Sequence, residues 1–304
     1  MIGRRQPHRG TVTALLALAA AACGGDEATG PNPPPPTVSS GHIAFQSRRV
    51  PYHQGIYLMT GDGDSVRPVV ADTFENVDPA LSPDGGWIAF SSNRGGVRAV
   101  WVIRTDGTGL APVTAAADSL SDTQPSWSPD GTRLVFARAS TAGAGAGIFL
   151  VGVAGTGLAP LTTQAGDCEP AWSPDGATVV FDRGGDLYRV AATGGTPALL
   201  YGSPAAEADP AWSPDGGLIA FGGMASDTQD ILLVRPDGGG LVPLAAGGAR
   251  LRGIEPTWAP DGSALAFAAY RAGATTIVRR RADGTGERVL LGQGFTDLHP
   301  SWSR

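Results

Sequence analysis

One seven-residue motif recurs along the chain and restricts its fold more than any other feature. Pro-x-Trp-Ser-Pro-Asp-Gly occurs at 125–131, 170–176 and 210–216, variants stand at 79–85 and 256–262, and Pro-Ser-Trp-Ser stands at 300–303. Successive copies begin 40 to 46 residues apart. A period of about 40–50 residues is typical of propellers, solenoids and repeat arrays. The chain therefore contains six similar structural units.

Each unit has the pattern of four short strands. An apolar segment ending in Phe follows the motif, as at 88–90, and a second apolar segment follows it, as at 100–103. A turn such as Asp-Gly-Thr-Gly at 106–109 then leads into a last short strand. Four antiparallel strands form one propeller blade. The 45 Gly and 25 Pro suit such turns and exclude a helical bundle, because both residues disfavour helix interiors.

The two ends of the repeat region complement each other. The Phe segment at 43–45 has no motif before it, whereas 300–303 carry a motif with no Phe segment after it. We therefore predict an all-β, six-bladed β-propeller over residues 41–304, whose C-terminal strand completes the first blade. A closed ring leaves no open sheet edge, so we expect a monomer.

Residues 1–40 differ in character from the repeats. Three Arg residues precede the mostly apolar segment 11–22, which small residues connect to Cys23. This pattern predicts a secretory signal peptide over 1–22. The apolar segment would be about 18 Å long as a helix, too short for about 30 Å of hydrocarbon. Residues 23–40, which include Pro31–Pro36, predict an extended tether.

Two segments of the chain resemble known families. Ala-Ala-Ala-Cys-Gly-Gly at 20–25 resembles the lipobox of bacterial lipoproteins, with Ala20 where that family prefers Leu, and implies a lipid on Cys23. The alternative is an ordinary secretory signal with an incidental cysteine. The Trp-Ser-Pro-Asp-Gly, Ile-Ala-Phe and Asp-Gly-Thr-Gly repeats resemble those of TolB-like six-bladed β-propellers over 41–304. That resemblance implies an envelope protein or peptide as partner, in the periplasm or at the outer membrane.

The positions before each motif proline carry the candidate site. Eight of the twelve side chains that lie one or three residues before a motif proline are acidic. The residue between the two positions is apolar in five of the six units and Thr123 in the sixth. This alternation predicts one face that lines the channel mouth. Crowded carboxylates favour a cation or a cationic group of a partner. The candidate binding residues are Asp78, Gln124, Glu169, Asp209, Glu255, His299, Asp122, Asp167, Glu207 and Asp297. The alternative is that these side chains bond backbone donors of loops and neighbouring blades.

No catalytic residue is predicted, because hydrolase, zinc-protease and phosphate-loop motifs are absent from the sequence. We also expect no nucleic-acid partner, since the 22 basic residues, all Arg, are outnumbered by 28 acidic residues.

The function predicted is a non-catalytic, lipid-anchored binding protein, with a divalent cation at the channel mouth as candidate cofactor. The alternative is a metal-dependent lyase or hydrolase of oligosaccharides, since propeller lyases place several His at a metal. We expect the Asp of each motif to form a turn and the Trp of each motif to pack in the core. Cys168 is expected to be a small buried side chain.

Overall fold

The computed structural model describes residues 41–50, 53–115, 118–141, 145–225, 228–244, 253–271, 273–292 and 294–303. These residues belong to the unit Thr37–Arg304. The predicted signal peptide at 1–22, the tether at 23–40 and Cys23 lie outside the described residues. Within the described part of the chain, no helical segment has the length and hydrophobicity that a bilayer span requires.

The regular structure consists of short β-strands. In chain order they are β1 (His42–Val50), β2 (His53–Thr60), β3 (Arg67–Val70), β4 (Asn76–Leu81), β5 (Trp87–Ser92), β6 (Ala99–Arg104), β7 (Ala111–Pro112), β8 (Leu120–Trp127), β9 (Arg133–Ser140), β10 (Gly147–Gly152), β11 (Ala159–Pro160), β12 (Asp167–Trp172), β13 (Thr178–Arg183), β14 (Asp186–Ala191), β15 (Ala198–Tyr201), β16 (Ala208–Trp212), β17 (Ile219–Ala225), β18 (Thr228–Val234), β19 (Val242–Pro243), β20 (Gly253–Trp258), β21 (Ala264–Arg271), β22 (Ala274–Arg281), β23 (Arg288–Val289) and β24 (Asp297–Ser303).

These strands form six antiparallel sheets of four strands each, and every sheet is one blade. Blades 2 to 6 are made of consecutive strands, from β4–β7 to β20–β23. Blade 1 has the order β24-β1-β2-β3, with His42 opposite Ser303 and Ile43 opposite Trp302. The predicted six-bladed propeller, closed by a C-terminal strand in the first blade, is therefore confirmed.

Aromatic residues of the repeat fill the core. The Phe that ends each apolar segment is fully buried in every blade, at Phe45, Phe90, Phe136, Phe181, Phe221 and Phe267. The motif Trp residues pack between blades: Trp127 Nε1 donates to the Ala80 carbonyl of the preceding blade at 2.9 Å, and Trp258 Nε1 donates to that of Ala211 at 3.1 Å. The predicted core role of the motif Trp residues is confirmed, although Trp212 is only partly buried.

The Ser-Pro-Asp-Gly segments are tight turns between the first and second strands of a blade. In blade 3, the Ser128 hydroxyl donates to Asp130 Oδ1 at 2.6 Å, and the Thr132 amide donates to the same oxygen at 3.0 Å. Gly131 has a φ of +68°, which glycine adopts without strain. These hydrogen bonds, that of Ser128 first, lower the pKa of Asp130 to about 2. The repeated Asp thus has the structural role that the sequence predicts.

Candidate binding site in the channel ring

The residue before each motif proline has an unusual backbone conformation. Asp78, Gln124, Glu169, Asp209, Glu255 and His299, which we call the ring residues, have φ values between +48° and +55°. Positive φ is uncommon outside glycine. The register between the first and second strands of each blade shifts at this place, as between Val77 and Ala80. A bulge of this kind re-aims a side chain without ending the strand.

All ring residues line one cavity of about 400 Å³ on the channel. The lining also contains the motif prolines and most of the motif Trp residues, and it reaches Pro83 and Ser303 at the turn ends of the first strands. Among the described residues, the lining includes four carboxylates, one amide and one imidazole of the ring, and no Arg. The cavity is therefore acidic.

Hydrogen bonds connect the ring residues from blade to blade. The Gln124 amide donates to Asp78 Oδ2 at 3.3 Å, and the Glu169 amide donates to Gln124 Oε1 at 3.1 Å. The amides of Asp209 and His299 bond Glu169 Oε2 and Glu255 Oε2 in the same way, at 2.5 and 2.7 Å. The alternative expectation, that these side chains bond backbone donors of neighbouring blades, is thus met by Asp78, Gln124, Glu169 and Glu255.

Asp209 is the exception in this series. Among the described residues, its carboxylate accepts no hydrogen bond, and the Glu255 amide, which occupies the donor position, does not donate to it. Burial, followed by the charges of Glu169 and Glu255, raises the pKa of Asp209 well above its ordinary value. Burial also raises the pKa of Glu169. The ring thus holds two neighbouring carboxyl groups for which ionisation is unfavourable.

His299 compensates the opposite part of the ring. Its Nε2 lies 2.8 Å from Glu255 Oε1, and its Nδ1 lies 3.7 Å from Asp78 Oδ1. Burial alone would lower the pKa of His299, but the hydrogen bond and charge of Glu255, together with the charges of Asp78 and Asp209, raise it to about 9. The imidazole is therefore cationic at neutral pH and balances the carboxylates beside it.

The four acidic residues three positions before the proline lie elsewhere. None of them is in the cavity lining, and each is at most 3% exposed; they are Asp122, Asp167, Glu207 and Asp297. Asp122 accepts two hydrogen bonds from Arg138, at 2.6 and 2.8 Å, and Asp167 is bonded by Arg183 at the same distances. The structure therefore separates the two sets that the alternation places on one face, because the bulge interrupts the alternation between them.

The other two members of this set have different partners. Arg49 pairs with Asp297 at 3.2 Å, whereas Glu207 accepts hydrogen bonds from the hydroxyl and amide of Ser203. Burial raises the pKa of Glu207. The Arg49–Asp297 pair joins β1 and β24 of blade 1, whereas the Ser203–Glu207 hydrogen bonds lie in the segment between β15 of blade 4 and β16 of blade 5.

Two further residues border the ring. Gln46 Oε1 accepts the Asp78 amide at 2.8 Å and closes the series at blade 1, a role that the sequence pattern did not reveal. Gln46 belongs to β1, outside the repeated position, so no repeat signal could identify it. Cys168 is half-buried; its thiol lies 3.6 Å from Asp182, and burial raises its pKa. Over the described residues, no three His, Cys, Asp or Glu side chains are arranged to hold a metal ion.

Comparison with known proteins identifies a family for this chain. Residues 117–304, more than half of the chain, match the family described as TolB beta propeller domain. The uncharacterized protein Atu1656 of Agrobacterium fabrum is 36% identical over 81 residues, which are 27% of this chain and 27% of that protein. The matched region therefore spans about a quarter of that relative.

Two solved structures share the fold. TolB from Acinetobacter baumannii is 21% identical, with a TM-score of 0.72 over 86% of this chain and 66% of that chain. A putative TolB from Agrobacterium tumefaciens is 19% identical, with a TM-score of 0.66 over 86% of this chain and 91% of that one. The chain therefore spans slightly less than two thirds of the Acinetobacter protein.

Proposed function

Because the chain belongs to the TolB beta propeller family, we propose that it is a non-catalytic binding protein of the bacterial cell envelope. In this proposal, the ring cavity takes up a cationic segment of a protein or peptide partner. The observation that carries it is the composition of the cavity, whose described lining contains four ring carboxylates and one imidazole and no Arg.

The electrostatics of the ring favour a cationic partner. Burial disfavours the ionised forms of both Glu169 and Asp209, and the charges of Glu169 and Glu255 add to this at Asp209. A positive group near both carboxyl groups relieves these penalties. A cavity of about 400 Å³ accommodates a side chain or a short extended segment, and not a folded domain. Charge complementarity in such a cleft also speeds association.

The envelope location rests on family membership and on the sequence of residues 1–40. A signal peptide at 1–22 would direct the chain to export, and a lipid on Cys23 with a tether at 23–40 would hold the propeller at a membrane surface. The mass of the mature N-terminal fragment tests the lipid: an unmodified Cys23 would contradict it.

The composition of the ring gives little support to the alternative function, a metal-dependent lyase or hydrolase. His299 is the one histidine of the ring, and Gln124 occupies another ring position. A propeller fold supports binding and catalysis alike, so the decision rests on the site. The site supports binding better, because a ring of four carboxylates with a single histidine suits a cationic group better than a metal ion held by several histidines.

The test is crosslinking in whole cells, followed by mass spectrometry, with the ring neutralised. The variant carries Asp78→Asn, Glu169→Gln, Asp209→Asn and Glu255→Gln; each amide keeps an oxygen that can accept the neighbouring backbone donor. We expect the crosslinked partner to be lost while melting stays cooperative.

A matched control removes four carboxylates from exposed turns, at Asp64, Asp106, Asp237 and Asp283. This control has the same net charge as the ring variant and should keep the partner. Equal crosslinking by the ring variant and the wild type would overturn the proposed function.

A further inference from the structure

The ring is not uniform, and its asymmetry identifies one residue. The cationic His299 lies between Glu255 and Asp78, so two of the four ring carboxylates have a positive neighbour. Gln124 is neutral, and its side-chain nitrogen lies 3.5 Å from Glu169 Oε1. Asp209 and Glu169 form the remaining part of the ring, where no cationic side chain lines the cavity among the described residues.

Within that part, the two carboxylates differ in their hydrogen bonds. Both oxygens of Glu169 accept protein hydrogen bonds, Oε2 from the Asp209 amide and Oε1 from Gln124 Nε2 at 3.5 Å. Neither oxygen of Asp209 accepts a hydrogen bond from a described residue, although Asp209 lines the cavity. Asp209 is half-buried at the cavity, so its carboxylate is open to a ligand that supplies hydrogen-bond donors.

We propose that Asp209 is the ring residue that anchors the cationic group of the partner, an ammonium or guanidinium nitrogen, with Glu169 as second acceptor. This inference rests on the proposed function, and names the part of the ring and the ligand chemistry. An organic cation fits better than a metal ion, because Ca²⁺ requires about six to eight oxygen ligands and two neighbouring carboxylates supply few of them.

The position of His299 makes the charge of the ring asymmetric. A second cationic group is repelled on the His299 side and attracted on the Asp209 side. A partner with one positive charge therefore enters in a single orientation, with its nitrogen toward blade 5. Electrostatic complementarity of this kind fixes register more than it adds affinity.

Proton exchange accompanies binding at Asp209. The titratable groups that face it are Glu169 from β12, Glu255 from β20, His299 from β24 and Asp78 from β4, and the Cys168 thiol is close by. Burial and these carboxylates raise the pKa of Asp209, and an arriving cation lowers it again because it favours the ionised form. Binding should consequently strengthen as the pH rises through the range in which Asp209 loses its proton.

The experiment uses butylammonium and butylguanidinium chloride as probes of Lys-type and Arg-type groups. Binding to the full chain is followed through the indole N–H resonances of the cavity Trp residues. We expect the wild type to bind at least one probe, Asp209→Asn to weaken it by at least about tenfold and to abolish its pH dependence, and Asp209→Glu to retain it. Asp78→Asn makes the same change at a ring position that His299 compensates and should weaken binding less than Asp209→Asn does. Asp64→Asn, on an exposed turn outside the cavity lining, is the control that should leave the affinity unchanged.

The outcomes separate this inference from the proposed function. Equal weakening by Asp78→Asn and Asp209→Asn would overturn the role of Asp209, and so would wild-type binding of neither probe. The crosslinking of the ring variant decides the proposed function independently. Displacement of a bound probe by stoichiometric MnCl₂ or CaCl₂ would overturn the inference that the ligand at Asp209 is an organic cation and would favour a metal ion. All variants are compared only where their melting matches that of the wild type.

Discussion

Acidic residues two positions apart on the same strand have opposite surroundings in this propeller. Asp167 and Glu169 both belong to β12. Asp167 is buried against Arg183, which also stacks on Phe181 and Tyr188 with its guanidinium carbon about 5 Å from each ring centroid. Glu169 lines the channel cavity, and the carboxylates of Asp182 and Glu255 act on it together with the His299 imidazole. The first residue has its counter-charge inside its own blade, whereas the described part of the cavity lining offers the second no Arg.

This difference separates structure from function within one repeat. A buried carboxylate with a dedicated Arg is a closed unit that needs nothing from outside. In the ring cavity, by contrast, four carboxylates share one histidine, so their charge is not fully balanced and a cationic ligand can balance the rest. Three substitutions test this comparison, and their expected effects decrease in order.

Arg138→Met removes the counter-charge of Asp122 and should have the largest effect. The methionine retains part of the packing on Phe136 and Phe149 but leaves a carboxylate buried and unpaired. We expect the free energy of unfolding to fall by about 3–5 kcal/mol, measured by chemical denaturation.

Arg133→Met is the matched control for that experiment. Arg133 lies on the same strand and stacks on Trp172 at 5.1 Å, with no ion pair among the described residues. Its loss should cost about 1 kcal/mol or less. Similar losses for both variants would show that the Asp122 pair is not a closed electrostatic unit.

His299→Gln should remove a pH dependence of stability. The pKa of His299 in the folded state is about 9, above its ordinary value of 6.5, so its stabilisation is complete below pH 6.5 and is lost as the pH rises through 9. The wild type should lose up to about 3 kcal/mol over this interval, and the variant should have a flatter profile.

Urea unfolding at several pH values measures both profiles. His53→Gln is the control, because His53 lies 3.7 Å from Glu75 and outside the cavity lining, and it should keep the wild-type decline. An undiminished decline in His299→Gln would show that this imidazole does not compensate the ring.

Gln124→Glu adds a fifth carboxylate to the ring and should have the smallest effect. The new side chain can still accept the Glu169 amide but lies beside the Glu169 carboxylate. We expect a loss of the order of 1 kcal/mol at pH 8 and none at pH 4, where the added group is protonated. Gln229→Glu, at an exposed strand position, should be neutral at both values. A neutral Gln124→Glu would mean that the ring is more hydrated than its geometry indicates.

The fold was predictable because each blade repeats the same local chemistry. The Pro-Asp-Gly turns, the Phe segments and the divided first blade each have a sequence signature, and the structure agrees with all of them. The ring residues were also identifiable, since they precede the motif prolines. Their backbone was not, because a residue before proline ordinarily prefers an extended conformation, whereas here all six have positive φ.

That local difference explains what the sequence could not resolve in the site. Strict alternation would place Asp122 and Gln124 on one face, but the bulge between Thr123 and Ser126 turns only Gln124 toward the channel. The Arg partners were hidden for a similar reason. They lie on the neighbouring strand, 16 residues away at both Arg138 and Arg183, and only the folded sheet brings them to their carboxylates.

The closure of blade 1 also has a mechanical consequence. β1 and β24 run antiparallel, with His42 opposite Ser303 and Ser47 opposite Asp297, so residues 41 and 303 emerge side by side. A force that pulls these two residues apart breaks the hydrogen bonds between β1 and β24 one after another, because these bonds lie perpendicular to the strands and therefore parallel to the force. Shear along the strands would instead load them together. The propeller should therefore open first at this seam when it is stretched between these two residues.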